Sequence, residues 1–118
     1  MTASVTSEIP FALHPSSSPL PGPERARILE SPGFGQKFND HMVTIRWTTE
    51  RGWHDGQLEP YGPISLPPAT SVFHYAQEIF EGLKAYRQHS GPIVTFRPQA
   101  NAARFNRSAI RMAMPQLP

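Results

Sequence analysis

The chain of 118 residues contains no cysteine, which excludes disulfides, thiolate-bound metal and a cysteine nucleophile. It has two lysines, Lys37 and Lys84. Charge of either sign is sparse: 17% of residues are charged and the formal balance is +2, which does not call for a nucleic-acid partner. No apolar run approaches the length that spans a membrane. The N-terminus lacks the basic start and apolar centre of a secretory signal, so a cytoplasmic protein is expected. The five histidines, His14, His41, His54, His74 and His89, are scattered and form no pair at metal-ligand spacing. Hydrophobic residues make up 38% of the chain against 14 prolines. That is enough for one modest core, with part of the chain left outside it.

The densest stretch is Phe73 to Arg87, FHYAQEIFEGLKAYR. Val72, Tyr75 and Ile79 recur at helical spacing before Glu81-Gly82, predicting a short helix. After it, Leu83, Ala85 and Arg87 alternate with Lys84, Tyr86 and Gln88, predicting a strand. Gly82 at the junction is expected to supply a backbone angle, or a close approach, that a side chain would forbid. By pattern alone the stretch is a buried turn of helix running into a hairpin.

Residues 1–31 read as a Pro/Ser-rich arm, with Pro10, Pro15, Pro19, Pro21 and Pro23 around Ser16-Ser17-Ser18, a composition of loosely packed chain. Within it, Ile9, Phe11 and Leu13 alternate and could dock as an extended edge, and Glu24 to Glu30 could form a helical turn before Pro32. Gly33-Phe34-Gly35 is a hinge-like step into residues 32–118. His41 to Thr48 is the clearest strand, with Val43, Ile45 and Trp47 on one face. Arg51-Gly52 and Asp55-Gly56 read as turns, the second as a hairpin, with a short return strand over Leu58 to Tyr61. Ile93 to Phe96 returns along the second half of the central stretch as an antiparallel hairpin. Pro98 suits the first turn of a helix, which Pro115 is expected to end. On that helix Phe105, Ala109 and Met112 share one face, and Arg104, Arg107 and Arg111 form a stripe beside it. The expected architecture is a small α+β unit: antiparallel hairpins with a short and a longer helix.

The stripe admits three readings. It is a solvated helix face, a basic patch for nucleic acid, or a phosphate clamp, because a guanidinium presents a rigid fork of donors matched to phosphate oxygens. A binder of single strands would want exposed aromatics between the basic groups, whereas here the aromatics fall at positions that look buried.

Four stretches in order, FGQKFNDHMVTIRW, GWHDGQLEPYGPISL, FHYAQEIFEGLKAYR and FRPQANAARFNRSAIRMAMPQLP, closely resemble the N-terminal part of branched-chain amino-acid aminotransferases. These are pyridoxal-phosphate enzymes of the fold type IV group, which also holds D-amino-acid aminotransferase and aminodeoxychorismate lyase. The resemblance runs from about Gly33 to the end, more faintly back to Pro10. It implies the small N-terminal domain of that fold, and a homodimer in the complete enzyme. It also implies amino-group transfer between leucine, isoleucine or valine and 2-oxoglutarate.

Carried over residue by residue, the resemblance makes Arg104, in ARFNRSA, the arginine that binds the cofactor phosphate. Phe80, in IFEG, matches the aromatic lining the pocket for the branched side chain, where isobutyl-sized groups bind by burial. Tyr75, in HYA, matches a tyrosine that reaches the active site of the other subunit. Lys84 matches a basic residue on the pocket side of the small domain, and Phe34, in GFG, an aromatic that closes over substrate. Neither Lys37 nor Lys84 matches the lysine to which the family's cofactor is covalently joined. The glutamate that pairs with the pyridine nitrogen and the backbone N–H groups that complete the phosphate cup are also unmatched. The chain is therefore expected to correspond to a small domain without its large domain, and to be inactive alone. The alternative, of a different class, is a non-catalytic interaction or dimerisation module. A small nucleic-acid binder built on the stripe is a third.

Overall fold

The computed structural model describes residues 9–89 and 91–118. They fall into two compact units, one ending at Ser65 and the other running from Leu66 to Pro118.

The first unit is built on a mixed three-stranded sheet in the order β1-β3-β2. Strand β2, His41–Thr48, and β3, Gly52–Pro60, pair antiparallel, with Trp47 opposite Trp53 and Thr48 opposite Gly52. Residues 49–51 make the turn, so Asp55-Gly56 lies inside β3 and is not the hairpin turn expected from its sequence. The reason is local. Asp55 takes a positive φ of 50° opposite a register shift between Thr44 and Arg46, and a bulge wants the same residue types as a turn. The bulged Asp55 carboxylate is held by Arg51 at 3.1 Å. Stacked rings of Phe38 and Tyr61, 5.0 Å apart, close the open end of the pair.

Strand β1, Phe11–Leu13, lies parallel to β3, with Phe11 opposite Gly56. A Cβ at Gly56 would come within 2.9 Å of the Pro10 carbonyl oxygen, so the missing side chain is what lets β1 approach. Helix α1, Gly22–Leu29, carries Pro23 in its first turn, with Glu24 beside it and Arg27 in the last turn, both charges complementary to the helix dipole. Asp40 ties the connection down, accepting from the Leu20 N–H at 3.0 Å and from Arg25 at 3.4 Å, while the Ser16 N–H donates to His41. Residues 11–13 and 22–29 thus form the extended edge and the helical turn that the sequence offered, within a composition that favours loosely packed chain. Residues 1–8 of the arm lie outside the described residues.

In the second unit, helix α2 spans Ser71–Tyr75 and stops at Ala76, which adopts the left-handed conformation. The helical spacing that included Ile79 therefore does not continue, and residues 76–84 are irregular. Gly82 has neither a positive φ nor any atom within 4 Å of a would-be Cβ, contrary to the role its sequence position implied. Strands β4, Ala85–Arg87, and β5, Ile93–Thr95, form the expected antiparallel hairpin, with Tyr86 opposite Val94. Ser90 of its connection lies outside the described residues.

Helix α3, Pro98–Arg111, begins on the expected proline. It ends earlier than Pro115 would require. Ala113 takes φ 53°, its N–H bonds to the Ile110 carbonyl, and the Met114 N–H bonds to the Ala109 carbonyl at 2.8 Å. That pair of bonds is a Schellman motif with alanine at the left-handed position. The following tail returns to the helix through two bonds between Asn106 and Leu117. Ala109, 1% exposed, is the one fully buried hydrophobic side chain among the described residues. The described residues therefore form a small α+β fold, with three helices and one mixed and one antiparallel sheet among them.

Candidate functional site

The arginine stripe of α3 borders an open cleft of about 450 Å³, faced on the other side by the irregular segment before Glu81. Arg104, Arg107, Ser108 and Arg111 project from the helix, and Glu78, Ile79 and Phe80 come from the segment. The spacing does this: positions 104, 107, 108 and 111 share one face of a 3.6-residue helix. The segment is anchored by the Gln77 side-chain amide, which donates to the Met112 carbonyl at 2.9 Å. Phe80 is 84% exposed in this unit, so its ring presents an apolar surface to the cleft beside three cations.

Arg104 is not a free cation. Its Nε–H and one Nη2–H donate to the two carboxylate oxygens of Glu81, at 2.5 and 2.7 Å. Glu81 Oε1 accepts further bonds from Asn101 Nδ2 and the Gly82 N–H, both at 3.0 Å. The Arg104 hydrogen bond is the chief reason that the Glu81 carboxyl falls from its ordinary 4.5 to about 2; partial burial opposes the shift, and Asn101 and Gly82 assist it. Glu81 in turn raises Arg104 further above its already high value. Both groups stay charged throughout the physiological range. Side-on engagement uses two of the guanidinium's N–H groups and leaves both on Nη1 and one on Nη2. With Arg107, Arg111 and the Ser108 hydroxyl on the same cleft, this donor set suits an anion rich in oxygen.

The other sequence-derived site residues are dispersed. Tyr75 is the last residue of α2, 81% exposed, with its ring edge-on to His74 at 6.5 Å. Lys84 lines a second cleft, of about 560 Å³, with Leu83, Tyr86, Phe96 and Asn101. No lysine lines the Arg104 cleft. Phe34 belongs to the first unit, is 99% exposed and sits between Gly33 and Gly35, both at positive φ. The structure therefore brings Arg104 and Phe80 to one cleft and leaves Tyr75 and Lys84 elsewhere in the same unit. Sequence reasoning passed over Glu81 and Asn101. Asn101 stands three residues before Arg104 on a helix, a readable spacing. Glu81 lies 23 residues away, where no periodicity connects it.

Among the described residues no helix is long and apolar enough to cross a membrane. No protein-family model matches the chain. Curated relatives do. A probable branched-chain-amino-acid aminotransferase of Streptomyces coelicolor is 65% identical over 106 residues, 90% of this chain and 29% of that protein. The branched-chain-amino-acid aminotransferase of Mycolicibacterium smegmatis is 54% identical over 108 residues, 92% of this chain and again 29% of the relative. The mitochondrial branched-chain-amino-acid aminotransferase of Saccharomyces cerevisiae is 50% identical over 95 residues, 80% of this chain and 24% of its own length. By sequence, the chain belongs to the branched-chain-amino-acid aminotransferase family, and it spans about 29% of the length of the bacterial relatives it matches.

Proposed function

We propose that this chain serves transamination between branched-chain amino acids and 2-oxoglutarate, as the small N-terminal domain of a fold type IV enzyme that uses pyridoxal phosphate. The observation that carries the reading is the Arg104 guanidinium, clamped side-on by Glu81 and bordering a cleft whose apolar wall is Phe80. The residues fit the phosphate end of the cofactor. Arg104 keeps free donors, and Arg107, Arg111 and Ser108 line the same cleft. They do not supply an amine for its aldehyde end, since Lys84 lines a different cleft and Lys37 belongs to the first unit.

When bound, pyridoxal phosphate supplies the electron sink on which amino groups are carried. This chain's own residues hold and shape. Arg104 anchors the phosphate, Phe80 offers a branched side chain an apolar wall, and Lys84 places a positive charge on the small-domain side. Tyr75, exposed at the end of α2, is assigned to the partner subunit's site in a homodimer, and Phe34 to closure over substrate. Catalysis needs the large-domain lysine, so the chain alone is inactive. The cytoplasm is its proposed location.

The test is a chimera in which this chain replaces the matching segment of the Mycolicibacterium smegmatis relative, with that relative as control. Retained transamination of leucine supports the reading. A folded, cofactor-loaded chimera that accepts no branched-chain substrate contradicts it. A second reading, a non-catalytic dimerisation module, draws on the exposure of Tyr75, Phe80 and Phe96. Sedimentation of the chain decides that point, since a monomer across micromolar concentrations excludes it.

A further inference from the structure

Glu81 enters the reading above only as the clamp on Arg104 and is given no role toward a ligand, yet its carboxylate accepts four hydrogen bonds. It accepts from Arg104 Nε and Nη2, from Asn101 Nδ2 and from the Gly82 N–H. The two partners are unequally placed, for the Glu81 side chain is 15% exposed and that of Arg104 is 54% exposed. The carboxylate is thus the fixed member, and the guanidinium is the member that meets solvent and the cleft.

We propose that Glu81 is a positioning residue for Arg104, holding the side of the guanidinium so that its end-on N–H groups are pre-set to receive a phosphate. The proposal rests on the reading of Arg104 as the phosphate ligand.

An arginine free to rotate must give up rotamer freedom when it binds. A side-on carboxylate settles that loss during folding and leaves the fork in one orientation. The same carboxylate has an opposing effect, because its negative charge lowers the attraction of the cleft for anions. Arg107 and Arg111 on the same cleft offset it. The two effects predict opposite outcomes when the charge is removed. If Glu81 merely neutralises Arg104, removing its charge tightens phosphate binding. If Glu81 orients Arg104, binding weakens even though the cleft becomes more positive.

The experiment titrates the 118-residue chain with inorganic phosphate and follows the arginine Nε–H resonances by NMR. Parent, Glu81→Gln, Asn101→Ala and Arg104→Ala are compared. The amide of Glu81→Gln keeps the size but removes the charge and replaces one of the two accepting oxygens by an NH2 donor, so the two-oxygen grip on Nε and Nη2 is lost. The expected result is weaker phosphate binding in Glu81→Gln by about threefold or more, the scale of one lost pre-ordered contact. The Arg104 Nε–H resonance should move to the position of a solvated arginine. Asn101→Ala, which loosens Glu81 without removing it, should shift both readouts the same way by less. Unchanged or tighter binding in Glu81→Gln, in a chain whose binding Arg104→Ala abolishes, overturns the positioning role and leaves Arg104 as ligand. No effect of Arg104→Ala overturns the ligand reading and the inference with it. If Glu81→Gln unfolds α3, Asn101→Ala decides: weaker binding supports the role, and unchanged binding overturns it.

Discussion

The carboxylate of Glu81 grips the side of the Arg104 guanidinium through two hydrogen bonds, across 23 residues of sequence. This pair distinguishes one arginine of the α3 stripe from its neighbours. For Arg107 and Arg111 no comparable bond occurs among the described residues, and each reaches the cleft as an exposed cation. In the Mycolicibacterium chimera, Arg104→Ala should weaken cofactor binding by about tenfold or more, as expected for a charge-assisted bond to a dianion. Arg107→Ala and Arg111→Ala should each cost much less. Spectroscopic titration with pyridoxal phosphate checks this, and equal losses from all three would mean that the stripe acts collectively.

The same pair sets a pH dependence. Glu81 has a folded-state value near 2 against an ordinary 4.5. A depressed carboxyl stabilises the fold above its unfolded value and loses that contribution as pH falls through its folded value. The Glu81 contribution should therefore be complete at neutral pH and disappear between about pH 4.5 and 2. Carbon-detected titration of the side-chain carboxyls should show Glu81 with its midpoint near 2. A midpoint above 4 would mean that the pair is not formed in solution.

Gly56→Ala places a methyl 2.9 Å from the Pro10 carbonyl, in a buried position of β3. Backbone must move, at a cost of about 1–3 kcal/mol. Strand β1 is the element that can leave. The His14 amide, bonded to the Leu58 carbonyl at 2.8 Å, should lose its protection from hydrogen exchange while the β2–β3 ladder keeps its own. Equal protection in both proteins would contradict the close approach.

Much of the second unit was legible because its signals are local. Pro98 opens α3, and alternation marks the β4–β5 hairpin. In the first unit His41 to Thr48 is a strand with the bounds its alternation predicts. Misreadings came where one residue type serves two geometries. Asp55-Gly56 suits a hairpin turn and a bulge alike, and only the pairing partner decides. Gly82 looked like a required glycine and stands in open space. In the arm, alternation at Phe11 and Leu13 and the turn from Glu24 to Glu30 marked where β1 and α1 form, but the ties that hold this segment, to Gly56, His41 and Asp40, lie far along the chain. At the site, Arg104 and Phe80 were named from resemblance. Their meeting at one cleft, and the Glu81 clamp, depend on a fold-back that no periodicity encodes.

The end of α3 offers a test of backbone strain. Ala113 sits at φ 53° in the left-handed position of the Schellman motif, where glycine carries no Cβ penalty. Ala113→Gly should stabilise the chain by about 1 kcal/mol, the cost of that conformation for an L-residue, partly offset by the greater freedom of glycine when unfolded. Denaturant unfolding measures it. A destabilised variant would show that the bonds from Ala113 and Met114 back to the helix do not form.

The central claim is that the Arg104 cleft takes a phosphate while the reactive amine of the complete enzyme comes from outside this chain. Among its 118 residues the amine side chains are Lys37 and Lys84, and neither lines that cleft. An ordinary lysine is mostly protonated at neutral pH and therefore a poor nucleophile. The direct measurement incubates the chain with pyridoxal phosphate, reduces with borohydride, maps any modified lysine by mass spectrometry, and assays leucine with 2-oxoglutarate in parallel. The account predicts sub-stoichiometric labelling, no preference for Lys84 and no turnover. Stoichiometric labelling of Lys84 together with turnover would contradict it.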